Sequence, residues 1–281
     1  MKRTLILGFS PCPNDTFIFR ALAEGSIDSP SFAFKTLLAD VEVLNKKARR
    51  QELDVTKVSA SAVLHLLDDY WMLRAGGAMG RGCGPLVVAR TPLSIQELRH
   101  KILAIPGKYT TANLLLRLQG SHEGPVIELP FDRIMPKVAA GEVDAGLIIH
   151  EGRFTYPTLG LKLVLDLGAW WESQRGLPLP LGVIMIRRSL GPEVAATVEE
   201  TIRQSLEYTR EHAREAWPYI RSHAQEMEES VIRRHIEMFV NEFSLDLGEE
   251  GEQAIRALLK EAAHLENIPF PDKPLFWDQK N

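Results

Sequence analysis

Short apolar runs alternate with helix-forming segments along the first two-thirds of the chain, and after residue 190 the alternation gives way to helices alone. Strands that alternate with helices build sheets covered by helices on both faces. The fold class read from the sequence is therefore α/β, with a mostly parallel sheet. The strand-like runs are 2–9, 53–58, 70–74, 85–90, 101–105, 126–129, 143–149, 163–166 and 181–187. Between them, 3.6-residue periodicity predicts helices over 16–24, 41–50, 59–67, 111–119 and 131–140, and in the tail over 193–211, 213–223, 228–240 and 249–265.

The order of these elements predicts two domains. Residues 92–185 hold a small α/β set of their own. The helical tail needs a sheet to cover, and the first 90 residues supply one. The expected arrangement is a larger discontinuous domain, 1–91 plus 186–281, with 92–185 inserted. The strands near 85–91 and 181–187 then cross between the two. A double crossover of this kind makes a hinged cleft that closes over a small molecule. A length of 281 residues suits two modest domains.

Composition narrows the function classes. The net charge of −4 excludes the basic-patch type of nucleic-acid protein. Two cysteines, Cys12 and Cys83, cannot build a disulfide framework, and neither sits in a metal-ligand spacing. No stretch approaches the roughly 20 apolar residues of a membrane helix. The charged start (1–4) is followed by a five-residue apolar run before Ser10-Pro11, too short for a secretory leader. The expectation is a cytoplasmic protein with no membrane insertion and no nucleic-acid partner; its oligomeric state stays open.

Ligands of open α/β sheets sit beyond the carboxyl ends of the strands. Four such ends carry small or polar residues: Ser10–Asp15, Lys57-Val58-Ser59, the 107–112 segment with Thr111 and Ala112, and His150-Glu151. The first three open helices, whose unpaired N–H groups attract anions, although such residues also serve as ordinary caps. Ser10, Asn14 and Asp15 are thus candidates for lining a cleft. His150 ends the apolar run 145–149, where it could act as a proton acceptor or bond to nearby backbone. The other histidines, His235 among them, read as solvated or structural. Cys12 stands at a helix start, where a lowered thiol pKa would make a nucleophile, but no histidine neighbours it in sequence and the reading favoured is a small buried hydrophobe. The glycine-rich stretch 76–84 lacks the strand-to-helix context of a nucleotide fingerprint. It reads as a wide turn directing Arg81 toward a cleft. Trp170-Trp171 reads as a loop pair that either lines an aromatic pocket or packs a domain junction. No cofactor and no metal are implied.

Several of these segments together resemble one family. Gly8-Phe9-Ser10-Pro11-Cys12-Pro13-Asn14-Asp15-Thr16-Phe17 is similar to the opening signature of the 1,4-dihydroxy-6-naphthoate synthases, enzymes of the futalosine route to menaquinone. Lys57-Val58-Ser59, the 80–89 stretch, the 106–112 stretch and Ala145–Glu151 resemble that family in the same order. So do 167–171, 177–182 and the tail motif Asn241–Asp246. The resemblance implies a fold like the type II periplasmic solute-binding proteins, used inside the cell for a lyase step without metal or redox cofactor. It implies conversion of cyclic dehypoxanthine futalosine, an aromatic carboxylate, to 1,4-dihydroxy-6-naphthoate and dihydroxyacetone. Within it His150 corresponds to the proton acceptor, and Lys57, Val58, Ser59, Thr111 and Ala112 to substrate contacts. Which of Arg81, Arg153 or Lys57 meets the substrate carboxylate is left open. The competing readings are a small-anion-binding protein of the same fold and the sibling chorismate dehydratase.

Overall fold

A computed structural model describes residues 2–27, 31–225, 228–270 and 272–279 of the protein. Met1, part of the charged start, lies outside them. The elements run β1 (Arg3–Phe9), α1 (Pro13–Ala23), β2 (Phe32–Leu38), α2 (Val41–Arg49), β3 (Val55–Ser59), a 3₁₀ turn (Ala60–His65), β4 (Tyr70–Gly80) and β5 (Leu86–Ala89). They continue with α3 (Ile95–Leu98), β6 (Leu103–Ile105), α4 (Thr111–Gln119), β7 (Val126–Glu128), α5 (Phe131–Ala140), β8 (Ala145–Ile148) and α6 (Gly152–Thr155). After a second 3₁₀ turn come β9 (Lys162–Asp166), α7 (Leu167–Arg175) and β10 (Leu179–Arg187). The tail holds α8 (Pro192–Glu211), α9 (Ala213–His223), α10 (Glu229–Phe239), α11 (Glu242–Leu245) and α12 (Gly248–Glu266).

Two five-stranded sheets result. The first has the order β2-β1-β3-β10-β4 and the second β7-β6-β8-β5-β9. Neither is mostly parallel, as the sequence pattern had suggested. β10 runs against both β3 and β4, and β5 against both β8 and β9. The remaining pairs, β1 with β2 and β3, and β6 with β7 and β8, are parallel. The reversed strand of each sheet is the one the chain enters after leaving the other sheet. Hydrophobic alternation carries no information about strand direction, so this could not be read beforehand.

The same topology moves the expected crossings. β5 pairs only with strands of the second sheet and β10 only with strands of the first. The chain therefore changes sheet ahead of each of these strands, around 81–85 and 176–178, and not at 91/92 and 185/186. β4 also runs on through Gly80 instead of ending at 74 in a wide turn. Its glycines allow close packing: Gly76 adopts φ +83°, and a Cβ there would meet Ile184 Cγ1 at 2.7 Å. β2 escaped the sequence reading, and Trp170-Trp171 lies on α7, not on a loop. Asp166 caps that helix by accepting from the Gly168 and Ala169 amides, both at 2.9 Å, and Gly176 closes it in the left-handed conformation.

The four long tail helices lie within a few residues of where periodicity places them. α8 packs on α1 and β4, and α12 on the first 3₁₀ turn, β10 and α4. One core of buried side chains accordingly joins both sheets: Val58, Val183 and Leu258 share it with Val87, Leu103 and Leu115. Among the described residues, no helix is long and apolar enough to cross a membrane.

Candidate active site

A cleft opens between the carboxyl ends of the two sheets. Nine of the expected site residues line it: Ser10, Asn14, Asp15, Lys57, Ser59, Thr111, Ala112, His150 and Arg153. Two do not. Val58 is fully buried in the core opposite Val183 of β10. Arg81 lies on the outer side, where its guanidinium bonds to the Gly176 carbonyl at 3.1 Å and to Glu250 at 2.8 Å. Because β4 extends to Gly80, the turn that was to aim Arg81 inward does not exist.

The first wall grows from the segment between β1 and α1 and from the end of β3. Asp15 sits in the first turn of α1, and its carboxylate is saturated. It accepts from Ser10 Oγ at 2.7 Å, the Ser10 amide at 3.1 Å and Asn14 Nδ2 at 2.8 Å, and pairs with Lys57 Nζ at 2.9 Å. Lys57, 3 % exposed, also donates to the carbonyl of Gly76 at 3.0 Å. Its ammonium is thus a partner of Asp15 before it is a partner of any ligand. Ser59 is held at both ends by Asn45, its amide donating to Oδ1 at 2.8 Å and its Oγ accepting from Nδ2 at 3.0 Å.

The second wall comes from the ends of β6 and β8. Thr110 caps α4 by accepting from the Asn113 amide at 3.2 Å, and Thr111 donates to the carbonyl of Leu181 at 2.9 Å. Arg153 donates to the Gly84 carbonyl at 2.7 Å and to Asp166 at 2.8 Å. Both cleft-lining cations among the described residues are therefore ion-paired. His150 differs. It follows the buried strand β8 and takes φ +55°, a left-handed conformation uncommon for residues other than glycine. Its ring meets Phe131 edge-on at 4.9 Å, and its Nε2 is buried with no hydrogen-bonding partner among the described residues.

Contacts across the cleft draw the walls together. Ser61 Oγ donates to the Tyr109 carbonyl at 2.5 Å, its amide to Thr111 Oγ1 at 3.3 Å, and the Tyr109 amide to Glu42 at 3.2 Å. Burial raises the pKa of Glu42, partly offset by its bond from Asn45.

Two features escaped the sequence reading. His235, on α10, lines the cleft with Phe239 and is not a peripheral structural histidine. Its ring centre lies 6.2 Å from that of His150. Burial and then the neighbouring His150 push its pKa well below the usual imidazole value. Its apolar neighbours on an amphipathic helix gave no sign of this, since the cleft face depends on how α10 packs on α1. The second feature is a donor set: Cys12 Sγ, a ring nitrogen of His150 and a carboxylate oxygen of Glu151 lie within 4.8 Å of one another. Such a set suits a thiophilic divalent cation. Burial and then the charge of Glu151 push the Cys12 thiol well up, which argues against an activated nucleophile. The Trp170-Trp171 pair stays out of the cleft; Trp171 is buried and donates to the Pro178 carbonyl at 3.2 Å, a packing role.

Comparison with known proteins agrees with this architecture. A family model described as menaquinone biosynthesis matches residues 5–264. A 1,4-dihydroxy-6-naphthoate synthase from Thermus thermophilus is 53% identical over 273 residues, which cover 97% of this chain and 98% of that protein. One from Streptomyces coelicolor is 45% identical over 265 residues, 92% of this chain and 93% of its own. A solved structure from Archaeoglobus fulgidus superimposes with a TM-score of 0.88 at 39% identity, covering 94% and 98% of the two chains. An alkanesulfonate-binding protein from Xanthomonas axonopodis pv. citri superimposes with a TM-score of 0.69 at 14% identity, covering 97% and 96%. At that identity the likeness shows the fold alone, that of the periplasmic solute-binding proteins.

Proposed function

The chain belongs to the menaquinone biosynthesis family, and on that premise we propose that it is an enzyme of the 1,4-dihydroxy-6-naphthoate synthase type: a lyase that converts cyclic dehypoxanthine futalosine to 1,4-dihydroxy-6-naphthoate and dihydroxyacetone. The observation that carries the reading is His150. A histidine held in a left-handed conformation at the end of a buried strand, its Nε2 without a partner, is a base waiting for a substrate proton. Removal of that proton starts cleavage of a carbon–carbon bond, the three-carbon unit leaves, and aromatisation of the naphthoate ring drives the step.

The rest of the cleft fits an aromatic carboxylate. Ala78, Pro85, Ile149, Leu181 and Phe239 give apolar surface for a fused ring. With Lys57 and Arg153 already paired, the carboxylate falls to neutral donors. The amides of Thr111 and Ala112 are the first of α4, where a helix leaves its N–H groups without internal partners. The Ser59 hydroxyl stands opposite. Lys57 then contributes by fixing Asp15 more than by touching the ligand, and Val58 through backbone alone. The two sheets act as two domains hinged at their crossings, and the reaction belongs in the cytoplasm.

The test is one assay. Wild type and His150→Ala are incubated with cyclic dehypoxanthine futalosine, and products are followed by liquid chromatography and mass spectrometry. Dihydroxynaphthoate from the wild type and not from the folded variant supports both reaction and base. Tight binding by the wild type without product would make the protein a binding module instead.

A further inference from the structure

His235 is 1 % exposed on the cleft wall, and its Nε2 lies 2.9 Å from Asn14 Oδ1. The next contact along decides which atom donates. Asn14 Nδ2 lies 2.8 Å from Asp15 Oδ1, a carboxylate ion-paired with Lys57, and such a carboxylate only accepts. The Asn14 amide therefore turns its NH₂ to Asp15 and its carbonyl oxygen to His235. A carbonyl oxygen also only accepts, so Nε2 carries the ring proton. A neutral imidazole has one N–H, which leaves Nδ1 with a bare lone pair. The depressed pKa of this buried ring agrees with the neutral form.

Nδ1 is buried with no hydrogen-bonding partner among the described residues. The other such ring nitrogen on the cleft is Nε2 of His150, on a ring 6.2 Å away centre to centre. A ligand hydroxyl has one proton to donate; with Nε2 of His150 reserved for the proton it removes, Nδ1 of His235 is the acceptor left for that hydroxyl. A buried acceptor without a donor is the kind of vacancy a site built for a hydroxylated ligand contains.

We propose that Nδ1 of His235 accepts a hydrogen bond from a hydroxyl of the ligand, lodged between His235 and His150, and that Lys57, Asp15 and Asn14 are positioning residues that fix the tautomer. The identity of the ligand rests on the function proposed above; the tautomer rests on the hydrogen bonds alone.

Two measurements test it. In ¹⁵N-histidine-labelled wild type, long-range proton–nitrogen spectra should show His235 as the neutral Nε2–H tautomer, and its Nδ1 resonance should move when cyclic dehypoxanthine futalosine is added. An Nδ1–H or doubly protonated ring in the free protein overturns the inference. In steady-state kinetics, His235→Leu should lose about tenfold or more in kcat/KM, the cost of leaving a buried ligand hydroxyl without an acceptor. His235→Asn, which keeps a neutral acceptor near the Nδ1 position, should stay within about threefold of wild type. Unchanged kinetics in a folded His235→Leu protein, with the wild type active, overturns this inference alone. A wild type that neither binds nor converts the compound removes the proposed function and the hydroxyl contact with it.

Discussion

The two walls of the cleft are built from the same kind of element, the carboxyl end of a buried strand, yet they differ in how their polar groups are met. On the first wall Asp15 accepts three hydrogen bonds and an ion pair, Lys57 is held between Asp15 and Gly76, and Ser59 is clamped by Asn45. On the second wall His150 stands in a left-handed conformation with a ring nitrogen unmet. A saturated network is rigid, because every departure leaves a buried charge or donor without a partner. An unmet group held in strain is ready for a ligand. The comparison teaches that the network around Asp15 is a scaffold that fixes orientation, while on the function proposed above the chemistry falls to His150.

The sharpest way to break that contrast is to remove one group from each wall. His150→Ala should lower turnover by about 10²–10⁴-fold at a cost in stability of no more than about 0.5–1.5 kcal/mol, the worth of the edge-on contact with Phe131, since its Nε2 makes no hydrogen bond among the described residues. A variant with normal turnover would place the base elsewhere. Asp15→Asn should behave in the opposite sense: it leaves the Lys57 ammonium buried without its carboxylate and should cost about 3–5 kcal/mol in urea unfolding. A loss below about 1 kcal/mol would show that the first wall is not the scaffold described here.

The crossing between the walls offers a smaller test. A Cβ on Gly84 would meet the Gly168 backbone at 2.2 Å and 2.4 Å, and backbone cannot swing aside as a side chain can. Gly84→Ala should cost about 1–3 kcal/mol in the same unfolding experiment.

The smallest effect concerns His235. Its native pKa is held below its value in the unfolded chain, so the unfolded state binds the extra proton. Stability is then full above the unfolded value, near 6.5, and falls as the pH drops beneath it. The slope reaches at most about 1.4 kcal/mol per pH unit. Thermal melts between about pH 7 and pH 5 should show the loss, and His235→Asn should reduce it. Equal slopes in both proteins would assign the acid sensitivity to other groups.

How far these features could be foreseen varies from element to element. The tail helices were legible because each carries its own 3.6-residue stripe of apolar residues, as α8 does with Ala195, Val198, Ile202 and Leu206. The place of His150 on the cleft was legible because the apolar run before it sets the next residue at the carboxyl end of a buried strand. β4 was misread because its glycines look like a turn, whereas Gly76 lets Ile184 and Ile202 pack close and Gly80 leaves room for the Asn241 amide that donates to the Met79 carbonyl. Arg81 was misplaced for the same reason. The Trp170-Trp171 helix was hidden because its start depends on Asp166 as a cap and its length is only nine residues.

What the sequence determined by itself is local: where strands and helices form, which face of each is apolar, and which strand ends carry groups fit for chemistry. These follow from the repeat of two or 3.6 residues and from caps that act within a turn. Strand direction, the true crossings between sheets and the partners of each cleft residue were decided only by the tertiary structure. Asn14 and His235 stand 221 positions apart in the chain and meet because α10 packs on α1. No periodicity reaches across such a distance, and the hydrogen bond that sets which nitrogen of His235 bears its proton exists only once that packing has formed.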